Sequence, residues 1–274
     1  MTLRVSAIDA PGSVLEKARD FLVSDPVRHN IILTLLRVRI VHPEPGRYWI
    51  VDDHGRVAGV VFQSPIDYLA TMTPMSSEAV VAAADAVVDE GVHLPGVNGE
   101  AATVARFAGH WTERTRSPAR PVQGQRIYEV DSVIAPMPTS GELRPAAIDD
   151  RDVLGAWLRS FQTETGDTVG DAAQIVARRL SAGRLWVWDD RGPVSFAGLS
   201  ETVAGVARIG PVYTPPDRRN HGYGSALVAG VSTTLRTNGG RCILYTDLGN
   251  PTSNSIYRAI GYRAVSEVLR YEFG

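Results

Sequence analysis

The sequence predicts two mixed α/β domains in tandem, and three observations predict it. A hairpin motif recurs at half the chain length, the elements around both copies follow one order, and a segment rich in proline and small residues lies between them. The motif is RYWIVDDHGRV at 47–57 and RLWVWDDRGPV at 184–194, so Arg47 returns as Arg184, an offset of 137 in a chain of 274 residues. Trp, Asp, Asp, Gly and Val return at the same offset. Each copy reads as a strand, an Asp-rich turn and a second strand, and the half-length offset points to duplication.

The flanking elements agree in order. DPVRHNIILTLL precedes the first copy with helical spacing of apolar residues, and DVLGAWLRSFQ and AAQIVARRL precede the second. After the first come YLATMT, SEAVVAAADAVVDEG, GVNG, EAATVARFAGHWTERT and GQRIYEVDSVI, in the order strand, helix, strand, helix, strand. After the second come VARIGPVYT, GSALVAGVSTTLRTNGG, RCILYTDL, TSNSIYRAIGY and AVSEVLRYEF, in the same order. The segment APMPTSGELRP has the composition of a boundary. The junction is placed near residue 138, giving domains 1–137 and 138–274.

Composition narrows the function. A net charge of -2 gives no electrostatic argument for a nucleic-acid partner. Lys17 is the only lysine, which excludes a phosphate-loop or Schiff-base lysine elsewhere. Cys242, the only cysteine, lies in the apolar run CILY and reads as a packing residue. The six histidines show no metal-ligand spacing, so no metal is expected. The start has no continuous apolar leader core, and no stretch approaches the roughly 20 apolar residues of a membrane span. The expectation is a soluble cytoplasmic protein with no membrane partner.

The chemistry concentrates in the second half. VARIGPVYTPP carries Gly210 and Pro211 inside a strand, and proline donates nothing to a ladder. A bulge there would splay the strand and leave backbone groups of Val212, Tyr213 and Thr214 for an amide-bearing ligand. DRRNHGYGSAL follows, with Arg218, Arg219, Asn220, His221, Gly222, Tyr223, Gly224 and Ser225 at the mouth of a helix whose apolar face is Leu227, Val228, Val231 and Leu235. Free amides at a helix N-terminus favour phosphate, and two arginines add charge. Leu227 stands where a dinucleotide fingerprint would need a third glycine, and no Gly-Lys-Ser/Thr is present. In TDLGNPTSNSIYRAIGY, Asn250 precedes a short helix on which Asn254 and Tyr257 share a face, and Gly261 ends it.

Together these residues resemble the GNAT superfamily of acyl-CoA N-acyltransferases. Its pyrophosphate signature, Arg/Gln-x-x-Gly-x-Gly/Ala, is matched by Arg219, Gly222 and Gly224, and its later signature by Asn250, Tyr257, Gly261 and Tyr262. The resemblance covers about residues 141–274. It implies a mixed, mostly antiparallel sheet flanked by helices, with acetyl-CoA as co-substrate in a V-shaped gap between the fourth and fifth strands of the domain. The first half shares the element order without the glycine loop, and looks like a degenerate GNAT-like domain with a helix capped by Ser76 or Ser77.

The resemblance further implies direct transfer to an amine, with Tyr257 near the thioester sulfur as general acid. Val212 would offer its amide to the carbonyl, and Asn250 and Asn254 would hold the pantetheine arm or the helix start. The strand VARIGPVYT lacks the carboxylate that many relatives carry. Glu201 and Asp247 are the candidate bases, with Asp247 equally readable as a turn anchor. Arg28, His29 and Asn30 in PVRHN either line the acceptor cleft or form a solvated helix end. An acyl-CoA sensor without turnover, and an interaction protein whose glycine loop is only a turn, are the rival classes. The acceptor and the oligomeric state are not specified by the residues.

Overall fold

The computed structural model describes residues 3–166 and 170–274. They form two compact units, the first taking in Met1–Ile127, Asp247–Gly249 and Val265–Gly274, the second Tyr128–Thr246 and Asn250–Ala264. In chain order the first unit has β1 (Leu3–Ile8), α1 (Pro11–Ser24), α2 (Asn30–Val41), β2 (Arg47–Asp53), β3 (Arg56–Gln63), β4 (Ala70–Met72), α3 (Ser77–Asp89), β5 (Gly96–Glu100), α4 (Ala101–Thr115) and most of β6 (Ala119–Val130). The second has β7 (Glu142–Pro145), α5 (Arg151–Thr165), α6 (Ala172–Ser181), β8 (Leu185–Asp189), β9 (Pro193–Leu199), β10 (Val206–Tyr213), α7 (Tyr223–Thr237), β11 (Arg241–Asp247) and α8 (Pro251–Ala259). The last strand, β12 (Arg263–Phe273), lies mostly in the first unit. Among the described residues no helix is long and apolar enough to cross a membrane.

The repeated motif is a hairpin in both units, and its turn explains which residues return. Asp52 accepts the Gly55 amide at 2.7 Å and Asp189 accepts the Gly192 amide at 2.8 Å. Between each pair one residue is left-handed, His54 at φ 51° and Arg191 at φ 61°. Asp closes the turn through its side chain and Gly accepts the positive φ that follows.

In the first unit β1–β2, β2–β3 and β3–β4 are antiparallel and β4–β5 is parallel. β12 then adds antiparallel to β5, from Val268 opposite Glu100 to Glu272 opposite Gly96. The alternation of β12 explains its place: Leu269, Tyr271 and Phe273, two apart, pack on the core of Trp49, Val80, Val104, Phe107 and Trp111. This differs from a division into contiguous halves, because the closing strand of the chain carries the apolar face that the first unit buries.

In the second unit the strand order is β7, β8, β9, β10, β11, antiparallel except for the parallel β10–β11 pair. α7 supplies Leu227, Val228 and Val231 to one face, beside Ile209, Cys242 and Leu244. α5 and α6 cover the other with Leu154, Leu158 and Val176, against Val187, Phe196 and Tyr213.

The role of β12 is testable in the full chain. Phe273 is half-buried and stacks on Trp111 at 5.1 Å and Phe107 at 6.4 Å. Phe273→Ala should lower the stability of the first unit by about 2 kcal/mol in urea unfolding, below the range for a fully buried phenylalanine. The exposed Val265→Ala should leave it within about 0.5 kcal/mol.

Candidate functional site

The site begins where β10 leaves β11. The two strands pair from Val206 opposite Arg241 to Ile209 opposite Leu244 and no further. On its other edge β10 shifts register against β9 between Ile209 and Val212, at the cis Gly210–Pro211 peptide. Pro211 has no N–H to give a ladder, so β10 follows β9 and parts from β11. Ser195 holds the diverging strand, donating to the Tyr213 carbonyl at 3.0 Å and lying 2.9 Å from the Thr214 hydroxyl. Among the described residues, the edge of 210–213 that faces away from β9 has no strand partner.

Beyond the strand the chain presents bare amides. Asn220 and Gly222 are left-handed, at φ 67° and 81°, and Gly222 opens α7 with no side-chain cap. Among the described residues the amides from Asn220 to Ser225 have no acceptor; the first helical bond runs from Ala226 to Gly222. Such amides, with the helix dipole behind them, form an anion cradle. Its walls are fixed: Thr139 donates to the His221 carbonyl at 2.7 Å, the Tyr223 hydroxyl donates to Asp190 at 2.7 Å, and His221 stacks on Tyr223 at 5.5 Å. A Cβ on Gly224 would lie 3.3 Å from the Thr214 hydroxyl, so glycine keeps that approach open.

The arginines differ. Arg218 pairs with its neighbour Asp217 at 3.3 Å in solvent. Arg219 donates to the Thr214 carbonyl at 3.0 Å, lies over the Tyr213 ring at 5.7 Å, and pairs with Glu164 at 2.7 Å. Glu164, which the sequence does not single out, also accepts from the Tyr213 hydroxyl at 2.9 Å. Burial works to raise the Glu164 carboxyl, but the bonds from Arg219 and Tyr213 outweigh it and hold its pKa below the usual value. Glu164 therefore sets the pose of the arginine beside the cradle.

The second motif forms α8. Asn250 caps it, accepting from the Ser253 amide at 3.0 Å, with Pro251 at the first turn. Asn254 is buried, donating to the Asn250 carbonyl at 2.7 Å and accepting from the Tyr128 hydroxyl at 3.1 Å. Both asparagines thus hold the helix start. Only glycine fits at 261, where φ is 100° and a Cβ would meet the Ser132 carbonyl. Tyr262 ties β11 to α7 through Ser232 at 2.7 Å and Cys242 at 3.1 Å. Tyr257 packs on the α7 face beside Tyr128 and Tyr262, ring centroids 6.5 and 6.0 Å away. Burial pushes its phenol up to about 12.

The two expected bases lie apart from this constellation. Glu201 is exposed in the turn that joins β9 to the start of β10, while the splay is at the other end of that strand. Asp247 is exposed at the end of β11 and accepts the Gly249 amide at 2.6 Å, closing the turn into α8. In the first unit, His29 is buried, 3.1 Å from the Leu22 carbonyl and stacked on Phe21, and burial lowers its pKa. Arg28 pairs with Glu100, and Asn30 is buried at the start of α2.

The first unit closes the corresponding gap. β4 pairs with β5 through its last residue, Met72 opposite Gly99. Thr73 then donates its amide to Val60 at 3.0 Å, the Met75 amide donates to the Thr103 hydroxyl at 3.3 Å, and Ser76 caps α3 through Ala79 at 3.2 Å. Glu78 puts negative charge in the first turn of α3.

The FR47-like protein family matches residues 196–271, the stretch from β9 to β12 that contains these features. No curated protein matches the chain in sequence. Among solved structures the chain is similar over 99% of its length to a GNAT-family acetyltransferase from Colwellia psychrerythraea, covering 100% of that chain at 9% identity and a TM-score of 0.64. It is similar over 99% of its length to a GCN5-related N-acetyltransferase from Sphaerobacter thermophilus, covering 95% of it at 17% identity and a TM-score of 0.63. A tandem GNAT protein from the clavulanic acid biosynthesis pathway matches over 99% of this chain and 98% of its own, at 11% identity and a TM-score of 0.58. These likenesses establish the fold across both halves.

The cradle is tested at its first glycine. Gly222→Val forces a branched side chain into a left-handed residue and against the open amides, with Thr139 already 3.7 Å from the new Cβ. Affinity for acetyl-CoA, measured by calorimetry, should fall by roughly tenfold or more, about 1.4 kcal/mol, in a variant that keeps its circular dichroism. Unchanged affinity would move the phosphate site elsewhere.

Proposed function

We propose that this chain, whose fold is like that of GNAT acetyltransferases and whose residues 196–271 match the FR47-like family, belongs to the GNAT superfamily, and that its second unit transfers an acetyl or short acyl group from acyl-CoA to a primary amine. The observation that carries this reading is the unpaired edge of β10 running into a loop of acceptor-free amides. An extended arm with amide groups suits the edge, and a pyrophosphate suits the loop.

Both substrates are held together. The amine nitrogen attacks the thioester carbonyl, a C–N bond forms, the C–S bond breaks, and the amine's proton is released as the thiolate departs. The Val212 amide is the donor assigned to the carbonyl oxygen, where negative charge develops. Tyr257 is assigned to the sulfur. A phenol that ionises near pH 12 does not hand its proton outright to a thiolate of ordinary pKa ~8.5. It donates a hydrogen bond that stabilises the developing charge, and stays protonated throughout the working range.

No proton is routed through Glu201 or Asp247, since one sits at the far end of β10 and the other closes a turn. The charged side chains of α6 and β10 beside the bulge are cationic, Arg179 and Arg208. Cations disfavour an ammonium ion, so the acceptor enters as the neutral amine.

The first unit binds no CoA in this reading, because Thr103 and Ser76 already satisfy the amides that such a ligand would use. Calorimetry of the full chain with acetyl-CoA should give one site. A second site that survives Gly222→Val would overturn the asymmetry.

Turnover is the decisive test against a sensor, which the absence of a β10 carboxylate would suit. An amine panel with acetyl-CoA should release free thiol. The single-turnover rate should rise with pH as the acceptor amine loses its proton, and should not fall before about pH 10, because Tyr257 ionises near 12. Tyr257→Phe keeps the ring and deletes the donor; its rate should drop roughly 10²-fold with acetyl-CoA affinity nearly unchanged. Full single-turnover activity in that variant would remove Tyr257 from the mechanism.

A further inference from the structure

The stretch APMPTSGELRP, which the sequence marks as a boundary, touches the glycine loop. Thr139 donates to the His221 carbonyl at 2.7 Å. The residues that follow Thr139 are fixed to the β8–β9 hairpin. Ser140 donates to Asp190 at 2.6 Å, and its carbonyl accepts from the Trp188 indole at 2.8 Å. Gly141 is left-handed at φ 93°, and a Cβ there would meet the Asp189 carbonyl. Asp190 also accepts from the Tyr223 hydroxyl at 2.7 Å, so the same hairpin holds the first residue of α7. Thr139 therefore meets the loop from an anchored support, all of it within the second unit.

The bond matters for what lies across the peptide. The His221–Gly222 peptide is trans, so its carbonyl and its amide point in opposite directions. With the carbonyl held on Thr139, the Gly222 amide is aimed away from that segment; it is one of the amides that have no acceptor among the described residues. Glycine at 222 gives no such hold by itself. Turning this peptide plane over changes the ψ of His221 and the φ of Gly222, and glycine takes positive and negative φ about equally well. The φ of Gly222 is 81°. A turned plane would present a carbonyl oxygen where the cradle has a donor, and that oxygen repels an anion. The hydrogen bond from Thr139 selects the orientation that attracts one.

We propose that Thr139 is a positioning residue of the CoA site, whose hydroxyl locks the 221–222 peptide so that the Gly222 amide meets the pyrophosphate. Thr139 acts through the loop and touches neither the substrates nor the reacting atoms. The assignment rests on the acyltransferase reading, and deepens it by naming the side chain that shapes the phosphate site. It also gives the boundary segment a part in binding, where its composition shows only a linker.

The test uses the full chain. Thr139→Val keeps the shape of the side chain and removes the donor, while Thr139→Ser keeps the donor. In Thr139→Val the Kd of acetyl-CoA by calorimetry, and its KM in the thiol-release assay, should rise roughly fivefold, the worth of one hydrogen bond. Both should return to within about twofold of the unmodified protein in Thr139→Ser. The rate at saturating acetyl-CoA should change little, because the transfer point lies along β10 and not in the loop. A merely structural role for Thr139 would lower Tm and leave Kd and KM alone. A second measurement needs no ligand: NMR relaxation dispersion should show exchange at the Gly222 amide in Thr139→Val, as the plane turns over, and none there in the unmodified protein. An unchanged Kd in Thr139→Val, a raised Kd that Thr139→Ser does not restore, or equal exchange at Gly222 in both proteins overturns the proposal. Failure of the unmodified protein to bind acetyl-CoA would instead sink the acyltransferase reading, and the exchange measurement would then decide by itself whether Thr139 holds the peptide.

Discussion

The constraint on which the second unit depends is that β10 cannot stay paired with β11 beyond Ile209. Pro211 has no amide to offer, and the register against β9 has already shifted. The strand must choose one neighbour, and Ser195 fixes that choice by holding Tyr213 and Thr214 to the β9 side. The open edge follows, as does the direction in which the chain enters the glycine loop, and so the aim of the amides at the start of α7. Glu164 completes the arrangement from α5 by fixing Arg219 and Tyr213 together.

The first unit shows what the same element order does without that constraint. β4 is three residues long, has no internal proline, and stays paired to its end. The amides that follow are met by Val60, Thr103 and Ser76. Each such bond is worth only about 1 kcal/mol net, yet together they leave no edge for a ligand to complete. A CoA molecule would have to displace bonds already made, and its phosphates would meet Glu78 where the second unit offers bare glycine. What separates the two units here is which backbone groups are left unpaired.

Much of this was legible in the sequence because it depends on backbone chemistry. Gly210–Pro211 announces a broken ladder, Gly222 and Gly224 a bare helix mouth, and the Asp52/Gly55 and Asp189/Gly192 turns the repeat. What escaped depends on side chains meeting from distant elements. Glu164 is one more polar residue on an exposed helix turn until Arg219 and Tyr213 reach it. Asn250 and Asn254 carry the right names, but their bonds hold α8 and Tyr128, which spacing does not distinguish from ligand contacts. The short edge strands β1 and β7 and the helix α1 passed unread, since six or fewer strand residues with one half-buried face give little periodicity. The placement of β12 in the first unit is a pairing choice, and alternation shows that a strand has an apolar face without showing which sheet takes it.

The two faces of the splay have opposite chemistry, and that division fits an acyl transfer. On the α7 side Tyr257 is surrounded by aromatic rings, and its environment keeps it neutral. On the α6 side the largely buried Arg179 guanidinium donates to the Gly210 carbonyl at the bulge itself. A cation held in that place disfavours an ammonium ion beside it. In the proposed transfer the acceptor therefore enters as the neutral amine, and the strand that carries the bulge needs no carboxylate of its own to strip a proton from it.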